Sequence, residues 1–371
     1  MNHRGGWRWA LIGLVALRLA AAAAPVEDEH RWSGPLRWLS AHPFDGIFLD
    51  QQPLDGALPR KPVFGFSISH FNTMSLSPNV LGTPAGQALQ ANSAAHQPQT
   101  LLNIPSLLAT ARATPGEFYY FADTETTRLD FRYTRPVGRQ WGWQAEVPVW
   151  GHVGGFFDET IEGFHDVFNF PKLNRDLAPH NRVQLVVAHG NDSRAYTGPF
   201  EPSLGDIVIR GFHAPLLESP SCPALMLSAS VKLPTGPASR FLGSGRWDWG
   251  GAVHVAKSLG DFRVNTTVGH TWHGGWSGLP SISTHPTWDV LFGGEYRISN
   301  KWTTTMQFAW REHTLKAAAP GLFATPAWTM GVGFSCRAEK SLWLDGAFLE
   351  NLSAKSRSYD VGLQYQMRWL Q

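Results

Sequence analysis

The stretch Ser358 to Gln371, SYDVGLQYQMRWLQ, alternates without a break. In an extended chain successive side chains point to opposite faces. Tyr359, Val361, Leu363, Tyr365, Met367 and Trp369 therefore project one way, and Asp360, Gly362, Gln364, Gln366 and Arg368 the other. Such a strand meets two solvents. An aromatic, apolar face running to the chain terminus is the pattern of the closing strand of a bacterial outer-membrane barrel, where lipid-facing and lumen-facing residues alternate. The partners expected of it are outer-membrane lipid and, through this strand, the barrel assembly machinery.

The same period of two recurs upstream. Strands are predicted at 247–255, 262–268, 288–298, 302–310, 328–336 and 342–348, with short turns at 258–261, 299–300 and 337–340. Earlier in the chain the pattern places strands at 64–68, 128–133, 141–149, 205–213 and 225–233. With the last strand this makes about twelve, an even number that brings the first strand beside the last and removes the sheet edge. The fold class is all-β, a transmembrane antiparallel up-and-down β-barrel. In such barrels short turns and both termini face the periplasm while long loops face outward. That parity leaves 182–188 as half of a hairpin inside the external segment 151–204. The stretch 72–116, rich in Ser, Pro, Ala and Gln, reads as the other large external loop and as a mobile one.

Ahead of the barrel, assigned to 63–371, Arg4 and Arg8 precede an apolar run at 9–19 and an alanine tract at 20–24. That order is a secretory signal peptide, expected at 1–23. The run is too short to span a membrane, which takes about 20 apolar residues. Residues 24–62 are expected to form a periplasmic N-terminal segment. A formal net charge of +2 gives no reason to expect a nucleic-acid partner. Seventeen tryptophans and 22 phenylalanines, against 7 tyrosines, suit the aromatic girdles of an outer-membrane barrel; the competing reading is a soluble β-sandwich with a Trp-rich core. Cys222 and Cys336 fall on segments distant around the barrel, which argues against a disulfide.

Assigning the apolar partner of each pair to lipid leaves an inward set. Its basic members are Arg128, Arg132, Arg210, Lys232, Arg263, Arg297, Arg311 and Arg368; its acidic members are Asp130, Glu146, Asp206, Asp248, Asp289, Glu295, Asp345 and Asp360. The lists are equally long. A selective pore carries an excess of one sign at its constriction, so this set fits a salt-bridged interior or a conduit with opposed clusters. The segment FFDETIEGFHDVF, 156–168, is the one helical signal: Phe157, Ile161, Phe164 and Phe168 share a face, as expected of a short amphipathic helix capping the external mouth. Glu162 with His165, and His270 with His273 and His285, have metal-ligand residue types, but each set is too sparse to define a site, and neither metal nor cofactor is expected. Ser228, Ser230 and His254 are the inward residues a nucleophilic enzyme could use, yet no Gly-x-Ser-x-Gly elbow is present. An enzyme is not expected.

The string WQAEVPVWGHVGGFFDETIEGFHDVFNFPKLNR, the Gly205-Asp206-Ile207 strand, KLPTG and LGSGRWDWG together resemble an outer-membrane barrel family labelled only as a domain of unknown function, DUF3187. The KLPTG and GSG elements also resemble a neighbouring barrel family associated with phenol meta-pathway degradation. The first likeness covers most of the chain from about Gly34. It implies the outer membrane and no established activity, so it carries over no catalytic or ligand residue. The function expected is a channel or uptake protein for a small-molecule cargo; the alternative is a non-conducting structural or surface-interaction barrel.

Overall fold

Twelve strands close on themselves. In the computed structural model the described residues are 32–39, 42–56, 58–94, 100–155, 157–160, 163, 167, 175–316, 325–353 and 361–370. The barrel wall consists of β1 (Val63–Leu76), β2 (Phe118–Val137), β3 (Trp141–Val153), β7 (Ile207–Leu216), β8 (Ala224–Leu233), β9 (Asp248–Leu259), β10 (Phe262–His273), β11 (Thr287–Arg297), β12 (Trp302–Arg311), β13 (Ala327–Glu339), β14 (Leu342–Asn351) and β15 (Val361–Leu370). Each pairs antiparallel with its neighbours, and β1 pairs with β15 from Val63↔Leu370 to Asn72↔Val361, so the wall has no free edge. The expected count and order hold. Short turns gather at the end that holds the start of β1 and the finish of β15, which is the periplasmic end of such a barrel.

Register follows the two solvents. On β15 Tyr365, Met367 and Trp369 are exposed outward while Gln364 and Gln366 are buried inward. On β9 Trp249, Val253 and Val255 face out, and Asp248 and His254 are fully covered. Aromatic rings crowd both rims of the outer face. Trp249 and Trp272 stack at 4.2 Å across the β9–β10 ladder at the external rim, and Trp141, Tyr296 and Trp302 stand exposed near the periplasmic turns. A chain with this belt is satisfied in lipid, because closure pairs every wall strand with two neighbours.

Beyond the membrane the sheet continues. β1 and β2 extend past the barrel, and the hairpin β4 (Gln184–His189) with β5 (Asp192–Tyr196) adds to the free flank of β2, from Phe118↔His189 to Asp123↔Gln184. A two-residue strand, β6 (Ser203–Leu204), bridges to β3. The hairpin expected around 182–188 is therefore real, and it belongs to a cap rather than to the barrel. The expected loop at 72–116 is corrected in its described part: it holds the end of β1, a short 3-10 turn (Pro78–Gly82), α1 (Pro84–Ala94) and α2 (Ile104–Ala113). Asn103 caps α2 by accepting from Ser106 N. Leu89 of α1 and Leu107 and Ala111 of α2 pack with Tyr119, Phe121, Val186 and Ala188 on the outer face of the extended sheet. The other expected helix, at 156–168, falls largely outside the described residues: Phe157 is described, whereas Ile161, Phe164 and Phe168 are not. The expected signal peptide at 1–23 also lies outside them.

Candidate functional site

The lumen is occupied by the chain's own N-terminal segment. Residues 24–62 are expected in the periplasm, but between Trp32 and Pro59 the described ones run inside the barrel. At the periplasmic end Ser33 N donates to Glu295 Oε1 at 2.6 Å, and Arg368 donates to the Ser33 carbonyl. The chain then rises. Gln307 donates to Leu36 O at 3.2 Å, Arg37 bridges Glu146 and Asp130, and Trp38 packs on Leu291 and Ala309. At the external end Phe44, Ile47 and Phe48 enter a cluster with Tyr120, Trp150, Phe241, Leu242 and Trp276, contributed by the cap and loops. The chain turns there and descends. Leu49 N donates to Asp248 Oδ2 at 2.9 Å, Asp50 pairs with Arg311, and Gln51 Nε2 donates to Thr271 Oγ1 at 2.8 Å. Near the periplasmic end Asp55 meets Arg263 Nε at 2.9 Å, and Leu58 packs on Phe212 and Met226. The two limbs are tied by the Gln52 side chain, which exchanges hydrogen bonds with the backbone of Trp38.

Hydropathy explains why this segment is inside. It carries Trp32, Leu36, Trp38, Leu39, Phe44, Ile47, Phe48 and Leu49, all buried. Leaving each such side chain in water would cost roughly 1.5–3 kcal/mol. The wall makes room with glycines. A Cβ on Gly269 would lie 2.5 Å from Gln51 Cγ, and one on Gly333 would lie 2.8 Å from Leu36 Cδ2.

The structure brings most of the predicted inward charges together, though their partners include the plug. Arg128, Asp130 and Glu146 form one network with Arg37. Lys232 links Asp206 and Asp248. Arg311 joins Asp289 and Asp50, Arg263 joins Asp55 and Glu218, Arg368 joins Asp345, and Arg210 donates to Ser230 and Gln144. Arg132 donates to Gln366. Arg297 keeps the inward parity of its strand but sits at the rim, where it pairs with the exposed turn residue Asp261. Asp360 lies outside the described residues. Ser33, Arg37, Asp50, Asp55 and Glu218 were missed by the sequence reading, which followed strands alone; the density of apolar residues between 32 and 49 is the signal that could have found the plug.

Other candidates separate. His270 and His273 sit an odd number of residues apart on β10 and face opposite sides: His270 lies against Trp272 and Trp288 outside, and His273 donates to or accepts from Thr287 within. Among the described residues no group of three or more His, Cys, Asp or Glu could hold a metal ion. Ser228 Oγ and His254 Nε2 do meet at 2.9 Å, but the third partner, on Nδ1, is the Thr267 hydroxyl at 2.9 Å, and His254 is fully buried. A nucleophile so placed lacks both a carboxylate orienter and access. Cys222 and Cys336 are free.

Between the base of the plug and the wall lies a cavity of about 220 Å³, reached from the periplasmic end, where Val63, Pro59 and Leu370 line it. Its lining also combines Trp32, Leu58, Phe212 and Met226 with Arg37, Arg132 and Arg368.

A closed twelve-stranded barrel with an apolar belt and a plugged, charged lumen defines an outer-membrane β-barrel protein. The chain belongs to the family described as "Protein of unknown function (DUF3187)", whose model matches residues 65–369. Among solved structures it is similar to the COG4313 outer membrane channel from Pseudomonas putida F1, at 11% identity and a TM-score of 0.52, covering 87% of this chain and 100% of that one. Weaker similarities join it to the P. putida toluene transporter TodX (8% identity, TM-score 0.35, 84% and 88% covered) and to the KdgM porin (8%, 0.36, 68% and 95%). At such identities the likeness speaks for the fold. No curated protein matches the chain.

Proposed function

We propose that the protein is a gated outer-membrane channel for small molecules, with the described residues of the plug, 32–39, 42–56, 58 and 59, as the gate. One observation carries this reading: the barrier is a separate length of chain and not the wall. Among the described residues the first strand begins at Val63, so the plug contributes none to the sheet and can leave without breaking a ladder hydrogen bond. The similar structure from P. putida F1 is called a channel, which agrees with this reading. Transport, not catalysis, is then the role of the lumen, and β15 is the strand through which assembly machinery would engage the barrel. Purified protein in a planar bilayer is expected to show discrete openings interrupted by long closures. A silent bilayer, with protein that still migrates faster before boiling than after, would instead support a non-conducting structural or surface-interaction barrel.

A further inference from the structure

The cavity beneath the plug contains an arginine that forms no ion pair among the described residues. Each carboxylate that lines it is already held: Glu146 by Arg37 and by Arg128 at 3.1 Å, and Asp55 by Arg263 at 2.9 Å. Arg368 is likewise satisfied, pairing with Asp345 at 2.9 Å. Arg132 is different. It forms no ion pair among the described residues; its one hydrogen bond goes to the Gln366 amide oxygen, and its Nε is buried without an acceptor. Nε and Nη1 of Arg37, a residue 4% exposed, are also buried without acceptors on the same cavity. The local backbone favours this display. Gly65 of β1 pairs with Arg132 on one side and Arg368 on the other, and a Cβ there would press on the Arg132 guanidinium at 3.2 Å. The same cavity is also lined by apolar side chains, Trp32 and Leu58 from the plug and Phe212 and Met226 from the wall.

An unpaired guanidinium in a half-enclosed site is stabilised by an anion, and its planar fork matches a carboxylate. A buried donor left without an acceptor carries its full desolvation penalty, so an occupant that accepts from Arg132 recovers it. The size of the cavity, about 220 Å³, lies below the ~300–1,000 Å³ of pockets for drug-sized ligands. We infer that this cavity is a binding site for a small monocarboxylate with an apolar body, the carboxylate on Arg132 and the body against Phe212, Met226 and Leu58. This rests on the channel reading and deepens it, by naming the chemistry of what passes the plug.

The test uses the full chain in lipid nanodiscs and two probes of similar shape, radiolabelled hexanoate and unlabelled 1-hexanol, in equilibrium dialysis. Saturable binding of one hexanoate per barrel is expected, with hexanol a poor competitor. Arg132→Gln should weaken hexanoate binding at least tenfold, and Met226→Trp, which fills the apolar side and keeps the arginine, should weaken it as well. Both variants are scored only where heat-modifiable mobility shows a closed barrel, and either one suffices. No saturable binding, equal competition by hexanol, or wild-type affinity in either folded variant overturns the inference. Binding by a barrel that never conducts would keep this site and sink the channel reading; conduction without binding would do the reverse.

Discussion

If the apolar tip holds the gate shut, truncating it should open the channel without harming the wall. Phe44 is fully buried; its ring centroid lies 5.2 Å from that of Phe241 and 6.1 Å from that of Tyr120, edge-on to the latter. Phe48 is 3% exposed in the same cluster and stands edge-on to His273 at 5.3 Å. Replacing a buried phenylalanine by alanine costs about 3–5 kcal/mol. The two rings share neighbours, so their costs will not simply add. Taking only about 3 kcal/mol for the pair still multiplies the population of the unplugged state by roughly a hundredfold, at tenfold per ~1.4 kcal/mol. Wall strands keep every ladder bond, so Phe44→Ala/Phe48→Ala should remain heat-modifiable. Its single-channel records should show open probability raised by about two decades, or saturation at fully open. A folded double variant whose records match the wild type would refute the argument: either the plug is held elsewhere, or its departure does not open the lumen.

Three further outcomes are expected. Gly269→Ala introduces a methyl group 2.5 Å from Gln51 Cγ, and the third nearest atom, Ala252 Cβ, is 3.4 Å away, so the variant should disturb the plug alone and raise conductance; unchanged traces would mean that Gln51 shifts freely. Tyr365→Arg places a charge on the lipid face midway along β15, where Tyr365 is 59% exposed, and should cost ~2–4 kcal/mol in denaturant refolding into vesicles, with no loss indicating a misassigned face. In the cap, the Asp123 carboxyl is raised well above the usual carboxylate range by burial first, then by Asp158 and Glu125, with Arg175 opposing. Its unfolded value is about 3.9. As pH rises from there through the raised folded value, the unfolded chain releases the proton first, so cap stability falls across that window and is greatest in acid. Asp123→Asn should remove that decline in hydrogen exchange of 118–123, and an identical pH profile in the variant would show that Asp123 is not its source.

The barrel was legible because lipid and water impose a period of two that no loop mimics. On β15 and β9 the predicted faces match burial residue by residue. What the membrane does not touch was harder to read. The α1 sequence PAGQALQANSA has no broad apolar stripe, and its packing through Ala85 and Leu89 depends on sheet residues from three strands, from Met74 and Leu76 to Val186 and Ala188. The plug is neither helix nor strand over its described residues, so no periodicity marks it. Its ionic contacts link distant positions, from Arg37 with Asp130 and Glu146 to Asp50 with Arg311, 261 residues apart, and come into being only when the barrel closes around them. Equal numbers of wall charges were visible in sequence; that three of the network's groups come from the plug was not.

Those three groups also bear on whether the plug can leave at all. Removing one partner of a buried ion pair costs about 3–5 kcal/mol when the other charge is stranded. Here the wall charges are not stranded. When Arg37 departs, Asp130 and Glu146 keep Arg128, at 2.8 and 3.1 Å; when Asp50 departs, Arg311 keeps Asp289 at 3.2 Å; when Asp55 departs, Arg263 keeps Glu218 at 2.7 Å. Each charge on the plug meanwhile moves toward water, where hydration replaces its lost partner. Ionic release is thus cheaper than the count of salt bridges suggests, whereas the rings of Phe44 and Phe48 gain nothing on exposure to water. On the gated-channel reading, this balance places the main resistance to opening at the apolar tip under the cap and leaves the charged stem to set where the plug would return.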